Sequence, residues 1–153
     1  MKAPIIDAKD AHIEGAHFAF QSDNKNPIKE MHFECTLLPL HSKFQSGEDI
    51  VCGCLEGWHH APVWPYMETH RDAETFVYTY GTALMPFCKV DAENNVIPGS
   101  AVIVRIPAGT QLYLEAGVAH FVAVAETDKF TCYVYAPDQP ADRIYLNGVV
   151  EAE

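Results

Sequence analysis

Short runs of β-branched and aromatic residues, separated by Gly, Pro, Asn and Asp, recur at near-regular spacing along this chain, whereas helical periodicity is nearly absent. We expect one short helical turn, between residues 6 and 16. The segment DAENN at 91–95 predicts a turn, because Asp and Asn tolerate left-handed backbone. A series of short strands of this kind is typical of a sandwich or a barrel. The sequence therefore predicts an all-β fold with a double-sheet barrel, with strands over 31–40, 48–57, 74–80, 83–90, 100–107, 111–117, 120–126 and 130–136.

The length and charge of the chain narrow its possible partners. A chain of 153 residues suits one domain, and we expect a single domain over residues 1–153. With 21 acidic against 10 basic residues the net charge is -11, and no basic run is present. Phosphate backbones and anionic membrane surfaces repel such a chain, so we expect no nucleic-acid and no membrane partner. No apolar stretch has the length of a signal peptide or a membrane span, which predicts a cytoplasmic protein.

The five cysteines, at 35, 52, 54, 88 and 132, are odd in number and scattered. Reduced thiols in the cytoplasm are the simplest interpretation. Cys52 and Cys54 are two positions apart, which is not the usual spacing of a zinc hairpin. They are either a redox or metal pair or, as we favour, two small side chains on one face of a strand.

Ionisable side chains gather in the segment METHRDAETFVYTYG, at 67–81. Glu68 and His70 share a face if this segment is a strand, and Glu74 has the same parity. Carboxylate oxygen and imidazole nitrogen together suit a divalent metal of borderline hardness. A further ligand is needed from another strand, and His120 is the best candidate because it begins an apolar run after Gly117.

Each of these residues also has an ordinary explanation. A histidine at a strand start is usually at the surface or half-buried and satisfied, and most glutamates are solvated. For the other histidines we expect no functional role, although two of them adjoin the tryptophan-rich segment before Glu68; these histidines are His12, His17, His32, His41, His59 and His60.

Two segments together resemble the paired motifs of the cupin superfamily. The first cupin motif contains a His, three intervening residues, a Glu, six intervening residues and a Gly, and His70, Glu74 and Gly81 have this spacing here. Glu68 stands where cupins usually carry an earlier histidine. In the second motif Gly109, Gly117 and His120 match, whereas Glu115 replaces a proline and Val124 an asparagine. The resemblance implies a double-stranded β-helix, the cupin jelly-roll barrel, with its core at about 66–136 and with strands and an arm in residues 1–60.

The same segments are similar to the ureidoglycolate lyase family of cupins, formerly called ureidoglycolate hydrolases. That family carries a Glu-x-His before a Phe-containing strand, then a Pro-Gly-Thr segment and a Gly-x-Trp-His. The matching residues are Glu68, His70, Phe76, Pro107, Gly109, Thr110, Gly117 and His120. The family's Asn-Tyr-His-Arg is replaced by Tyr113, Leu114, Glu115 and Ala116, and its Trp by Ala119. These departures alter the expected pocket wall and bear on the substrate.

The resemblance implies cleavage of ureidoglycolate to glyoxylate and urea, a step of allantoin catabolism, in a protein that pairs as a homodimer through sheet edges. C–N cleavage needs a base, an acid and positive charge for a carboxylate. We expect His70, Glu74 and His120 to be catalytic. A divalent ion, Zn, Ni, Mn or Fe, would be held by ligands drawn from Glu68, His70, Glu74 and His120.

The substrate carboxylate needs a cation, and Arg105 is our candidate because it interrupts an apolar strand. An internal ion pair or an edge charge is the other interpretation of Arg105. Tyr78, Tyr113 and Glu115 complete the predicted substrate-binding residues. Two other functions stay open: a ligand-binding or sensing cupin without turnover, which the changes at 115–116 favour, and a metal-dependent cupin that acts on a sugar or another small carboxylate.

Overall fold

The computed structural model of the protein describes residues 1–23, 26–36, 38 and 40–153. The all-β prediction is confirmed, and within the described residues helix is limited to two short 3-10 segments, Ala8–Asp10 and Gln21–Asp23. No helix among these residues is long and apolar enough to cross a membrane. In chain order, the strands are β1 (Lys2–Ala3), β2 (Ile5–Asp7), β3 (Ala16–Phe20), β4 (Ile28–Lys29), β5 (Glu34–Cys35), β6 (Ile50–Trp58), β7 (Val63–His70), β8 (Glu74–Tyr80), β9 (Thr82–Cys88), β10 (Val102–Pro107), β11 (Thr110–Leu114), β12 (Ala119–His120), β13 (Val124–Ala125), β14 (Lys129–Pro137) and β15 (Ala141–Ala152).

Two large sheets form a single barrel-like domain. One has the strand order β1-β15-β7-β12-β9-β10-β2, with β13 added to β9, and the other has the order β3-β11-β8-β14-β6. The first strands nearly close the larger sheet, because β1 pairs in parallel with β15 and β2 pairs in parallel with β10, with Pro4 between them. Joining both edges in this way leaves few unpaired backbone groups for another chain to bind.

Alternation along the strands builds two hydrophobic cores. Successive strand residues point to opposite faces, so Met85 and Phe87 enter the core between the two sheets, whereas Leu84 and Cys88 face the other way. The core between the sheets is the larger and contains most of the buried aromatic rings of β8, β9 and β14. The second core lies on the other face of the larger sheet and includes Trp64.

The predicted strands agree best with the structure in the middle of the chain. The run 74–80 coincides with β8, whereas 120–126 is divided into β12 and β13. In the run 31–40 the structure has only β5, and positions 37 and 39 lie outside the described residues. The sequence did not predict β1, β2, β3, β4, the first half of β7, or β15. The turn at 91–95 is present, with Asn94 in the left-handed region at φ 64.

A short turn with Asp72 at its centre joins β7 to β8 at one end of the barrel. The Asp72 carboxylate accepts hydrogen bonds from the backbone N–H groups of Gln45 (2.9 Å), Ser46 (2.6 Å) and Ala73 (2.7 Å). Burial alone would raise the pKa of Asp72, but these hydrogen bonds lower it from 3.8 to about 2. Asp72 therefore holds the segment before β6 against this end of the barrel, directly beside His70 and Glu74.

Candidate functional site

Strand pairing brings Glu68, His70, Glu74 and His120 together at this end of the barrel. Glu68 and His70 lie on β7, Glu74 begins β8, and His120 ends β12. Because β12 pairs with β7, His120 stands directly opposite Glu68. The backbone N–H of Gly117 also donates to the carbonyl oxygen of His70 at 2.9 Å, which ties the loop before His120 to the end of β7. We call these four side chains the buried cluster.

The ionisable atoms of the buried cluster are close to one another. Glu74 Oε2 lies 3.0 Å from His120 Nε2 and 3.5 Å from His70 Nε2, and Glu68 Oε1 lies 3.9 Å from His70 Nε2. The centroids of the two imidazole rings are 5.5 Å apart. Ligand atoms of Glu68, His70 and His120 all lie within 4.8 Å of one another. The two histidines therefore converge on one small space.

The ring of His120 is held in one orientation. Its Nδ1 donates to the carbonyl oxygen of Val118 at 2.9 Å, because a carbonyl can only accept. Phe76 and Phe87 flank the ring, with centroids at 6.3 and 6.4 Å. Its Nε2 faces the carboxylate of Glu74 and the rest of the buried cluster. A histidine oriented by a backbone carbonyl in this way is typical of metal ligation through Nε2.

Burial and mutual charge set the protonation of the cluster. The four side chains are between 4% and 12% exposed. Burial alone lowers the pKa of His70, but the neighbouring carboxylates of Glu68 and Glu74 outweigh it and raise this pKa above its ordinary value. Burial raises the pKa of Glu74, but the contact with His120 and the charge of His70 lower it overall. Glu74 is therefore ionised at neutral pH.

Two polar atoms of the buried cluster lack the hydrogen bonds that burial normally requires. Glu74 Oε2 and His70 Nδ1 are both buried without a well-directed hydrogen-bond partner. Buried polar atoms are rarely left in this state, because each costs about 1–3 kcal/mol. A donor set of two imidazoles and a carboxylate, with a second carboxylate beside them, suits a divalent cation that keeps an open position. The residues present therefore fit a metal ion.

Comparison with solved structures agrees with this architecture. The chain is similar to QdtA, a sugar 3,4-ketoisomerase from Thermoanaerobacterium thermosaccharolyticum solved in complex with TDP, with a TM-score of 0.52 and 13% identity. The match covers 89% of this chain and 91% of that chain. The protein has the cupin fold. No protein-family model matches the sequence, and no curated protein matches it. The cupin prediction is therefore confirmed for the fold, and the ureidoglycolate lyase family stays a prediction.

Arg105 does not join the buried cluster of the cupin barrel. It pairs in register with Leu84 on the opposite face of the larger sheet from Phe87, which contacts His120. There its guanidinium forms ion pairs with Asp7 at 3.0 Å and Glu126 at 2.8 Å. The structure thus agrees with the ion-pair interpretation of Arg105 and not with a role in binding substrate.

Tyr113 and Glu115 also lie apart from the buried cluster. Tyr113 stands on the opposite face of β11 from the core residues Leu112 and Leu114. Its hydroxyl donates to the carbonyl oxygen of Lys43 at 3.0 Å, and its ring stacks on His17. The exposed Glu115 accepts a hydrogen bond from His17 Nε2 at 2.7 Å. The replacements at 115–116 therefore change the outside of the barrel, not the cluster.

Tyr78 does lie inside the cupin barrel, on the same face of β8 as Glu74. It is 2% exposed, and its hydroxyl donates to the Met85 sulfur at 3.5 Å. Burial raises the pKa of Tyr78 well above its ordinary value, with smaller contributions from Cys132 and Glu74. A buried phenol packed against a thioether belongs to the hydrophobic core.

One residue near the buried cluster was not predicted from the sequence. Arg143, on β15, pairs in register with Glu68, and its Nη2 lies 3.7 Å from Glu68 Oε2. Its guanidinium carbon lies 4.3 Å from the centroid of the Tyr66 ring. The β15 segment lacks a recognisable strand pattern, so no local feature of the sequence predicted that Arg143 lies beside the cluster.

The cysteines show no sign of a built site. All five are free. Cys52 and Cys54 are exposed on β6, opposite Tyr135 and Tyr133 on β14. This agrees with two small side chains on one face of a strand, and within the described residues no group of possible metal ligands includes them.

Proposed function

We propose that the protein is a metal-assisted cupin enzyme that cleaves the C–N bond of ureidoglycolate, or of a related small hydroxy acid, to give glyoxylate and urea. The observation that carries the proposal is the buried group of Glu68, His70 and His120, with Glu74 against both imidazoles. Perturbed acids and bases that converge in one buried place are typical of functional sites. The choice of substrate rests on the sequence resemblance.

The roles follow from the positions of the side chains. Glu68, His70 and His120 would hold the cation. When bound, a divalent ion would polarise the substrate hydroxyl. Glu74, ionised and next to this group, accepts the hydroxyl proton as the carbonyl of glyoxylate forms. The same carboxyl then gives that proton to the departing urea nitrogen, so atoms and charge balance within one bond cleavage.

Two other functions, a sensing cupin and a cupin that acts on a sugar, are less well supported or need the same test. A sensing cupin was favoured by the changes at 115–116, but Glu115 is exposed and bonded to His17, away from the cluster. That observation removes the reason to prefer loss of turnover. A cupin that acts on a sugar would use the same metal ligands and would differ only in its substrate. The activity test described next therefore distinguishes it from the lyase.

Metal content and glyoxylate release test the proposal together. We expect purified protein to contain about one divalent ion per chain and to release glyoxylate from ureidoglycolate. His120→Ala should lose both, while Glu74→Gln should keep the ion and lose about 10²–10⁴-fold in kcat. Arg105→Met is the matched control, because it changes a charge outside the cluster. Metal without glyoxylate release would refute the lyase and indicate another cupin chemistry or a sensor.

The homodimer also stays a proposal. Within the described residues β6 is an unpaired edge of the smaller sheet, and Ile50, Val51 and Trp58 on it are exposed. An exposed edge of this kind favours pairing with a second copy. Sedimentation analysis of the purified protein measures the state directly, and a monomer at all concentrations would exclude it.

A further inference from the structure

We propose that Arg143 binds the carboxylate of the substrate beside the buried cluster. This inference rests on the proposed function, because it concerns the same site. It assigns to Arg143 the role that we predicted from the sequence for Arg105. It also defines the substrate class as a small carboxylate that reaches the cation and the guanidinium at the same time.

Strand register places Arg143 in line with the cluster. β15, β7 and β12 are neighbours in the larger sheet, and Arg143, Glu68 and His120 stand opposite one another across them. Glu68 therefore lies between the guanidinium and the histidines, with Oε2 3.7 Å from Arg143 Nη2 and Oε1 3.9 Å from His70 Nε2. A ligand that spans Glu68 would contact both the cation site and Arg143.

Two aromatic rings hold the guanidinium without using its hydrogen-bond donors. Its carbon lies 4.3 Å from the Tyr66 ring centroid and 5.6 Å from that of Phe121, and these rings pack edge to face at 4.6 Å. Stacking on aromatic faces orients a guanidinium and leaves its planar fork of N–H groups available. The Arg143 side chain is 42% exposed, so these donors are accessible from solvent.

The position of the Arg143 charge favours an anionic ligand. The carboxylates of Glu68 and Glu74 together would neutralise a bound divalent cation, and Asp142 adds a further negative charge that acts on His70. Without Arg143, an incoming carboxylate would approach two glutamates. Within the described residues, Arg143 is the one Lys or Arg that forms an ion pair with the cluster. The position of its charge therefore favours a carboxylate over a neutral ligand.

A pair of matched probes tests this role by binding, without turnover. We would load the protein with Mn²⁺ and measure by calorimetry the affinities of glycolate and of glycolamide, its neutral analogue. We expect wild type to prefer glycolate by about tenfold or more, as a charged hydrogen bond allows. Arg143→Met should abolish the preference, and Arg143→Lys should keep part of it. Arg105→Met, a control with similar exposure, should keep all of it.

A purely structural role for Arg143 predicts something different. If Arg143 only positioned Glu68, Arg143→Met would weaken Mn²⁺ binding and leave the ratio of glycolate to glycolamide unchanged, which would overturn the proposal. Equal binding of the two probes by wild type would also overturn it. Arg143-dependent glycolate binding without glyoxylate release from ureidoglycolate would refute the lyase and leave the anion site standing.

Discussion

The buried cluster and the ion pairs of Arg105 are two groups of charges built in opposite ways. Arg105, Asp7 and Glu126, which we call the outer triad, lie on the other face of the larger sheet. Arg105 donates to both carboxylates at 2.8 and 3.0 Å, and the three side chains are 32% to 46% exposed. In the buried cluster no side chain is more than 12% exposed, and two polar atoms have no well-directed hydrogen bond.

The difference separates a candidate site from an ordinary group of surface ion pairs. Exposed ion pairs have good geometry but contribute only about 0–1 kcal/mol, since water screens them. Burying ionisable groups without full hydrogen bonding costs free energy, and such groups are concentrated at functional sites. Close opposite charges alone therefore do not distinguish a candidate site in this protein. Burial of several ionisable groups together, with incomplete hydrogen bonding, distinguishes the cluster from the outer triad.

The largest expected difference between the buried cluster and the outer triad is in how a divalent cation changes the free energy of unfolding. A cation that binds only the native cluster should stabilise the protein by about 2.7 kcal/mol when its concentration is a hundred times its Kd. Urea unfolding with and without Mn²⁺ or Zn²⁺ measures this. The stabilisation should be absent in His70→Ala and unchanged in Arg105→Met. If no divalent cation shifts the wild-type unfolding curve, the cluster is not a metal site.

An intermediate loss of stability is expected when Asp72, a buried and hydrogen-bonded carboxylate, is replaced. Asp72→Asn keeps the shape of the side chain but removes the negative charge of the carboxylate. The oxygens of that carboxylate accept hydrogen bonds from the N–H groups of Gln45, Ser46 and Ala73. We expect a loss of about 2 kcal/mol in the free energy of unfolding at neutral pH. Chemical denaturation measures it. An unchanged stability would mean that the segment before β6 contributes nothing to the barrel.

The smallest loss of stability is expected when the outer triad is disrupted. Arg105→Met should cost less than about 1 kcal/mol, and the cost should shrink further at high salt. Thermal unfolding at low and high ionic strength checks both statements. A much larger loss, or weaker cation binding, would show that the two groups of charges are coupled through the sheet.

The parts of the site that the sequence predicts are those set by local rules. The alternation of Glu68 and His70 along β7 and the short turn to Glu74 place three groups on one side, and they do converge. Their meeting with His120 depends on the pairing of β12 with β7, which the cupin resemblance implies and the local pattern does not.

The missed and misplaced residues depend on partners distant in sequence. Arg105 interrupts an apolar strand, but its face of the sheet meets Asp7 from the first residues of the chain and not the barrel interior. β15 lacks a clear apolar alternation and contains Gly148, so its pairing with β7 could not be predicted. The position of Arg143 follows from that pairing alone.

The order in which the chain is synthesised gives the pairing of β1, β7 and β15 a kinetic consequence. β15 is translated after every other strand, yet it pairs with β7 and with β1, the first strand. Contacts between such distant segments form slowly, because a long loop must close first. A folding chain can therefore bring Glu68, His70, Glu74 and His120 together before β15 docks and places Arg143 beside Glu68. Its capacity to hold a cation would then precede its capacity to select an anion.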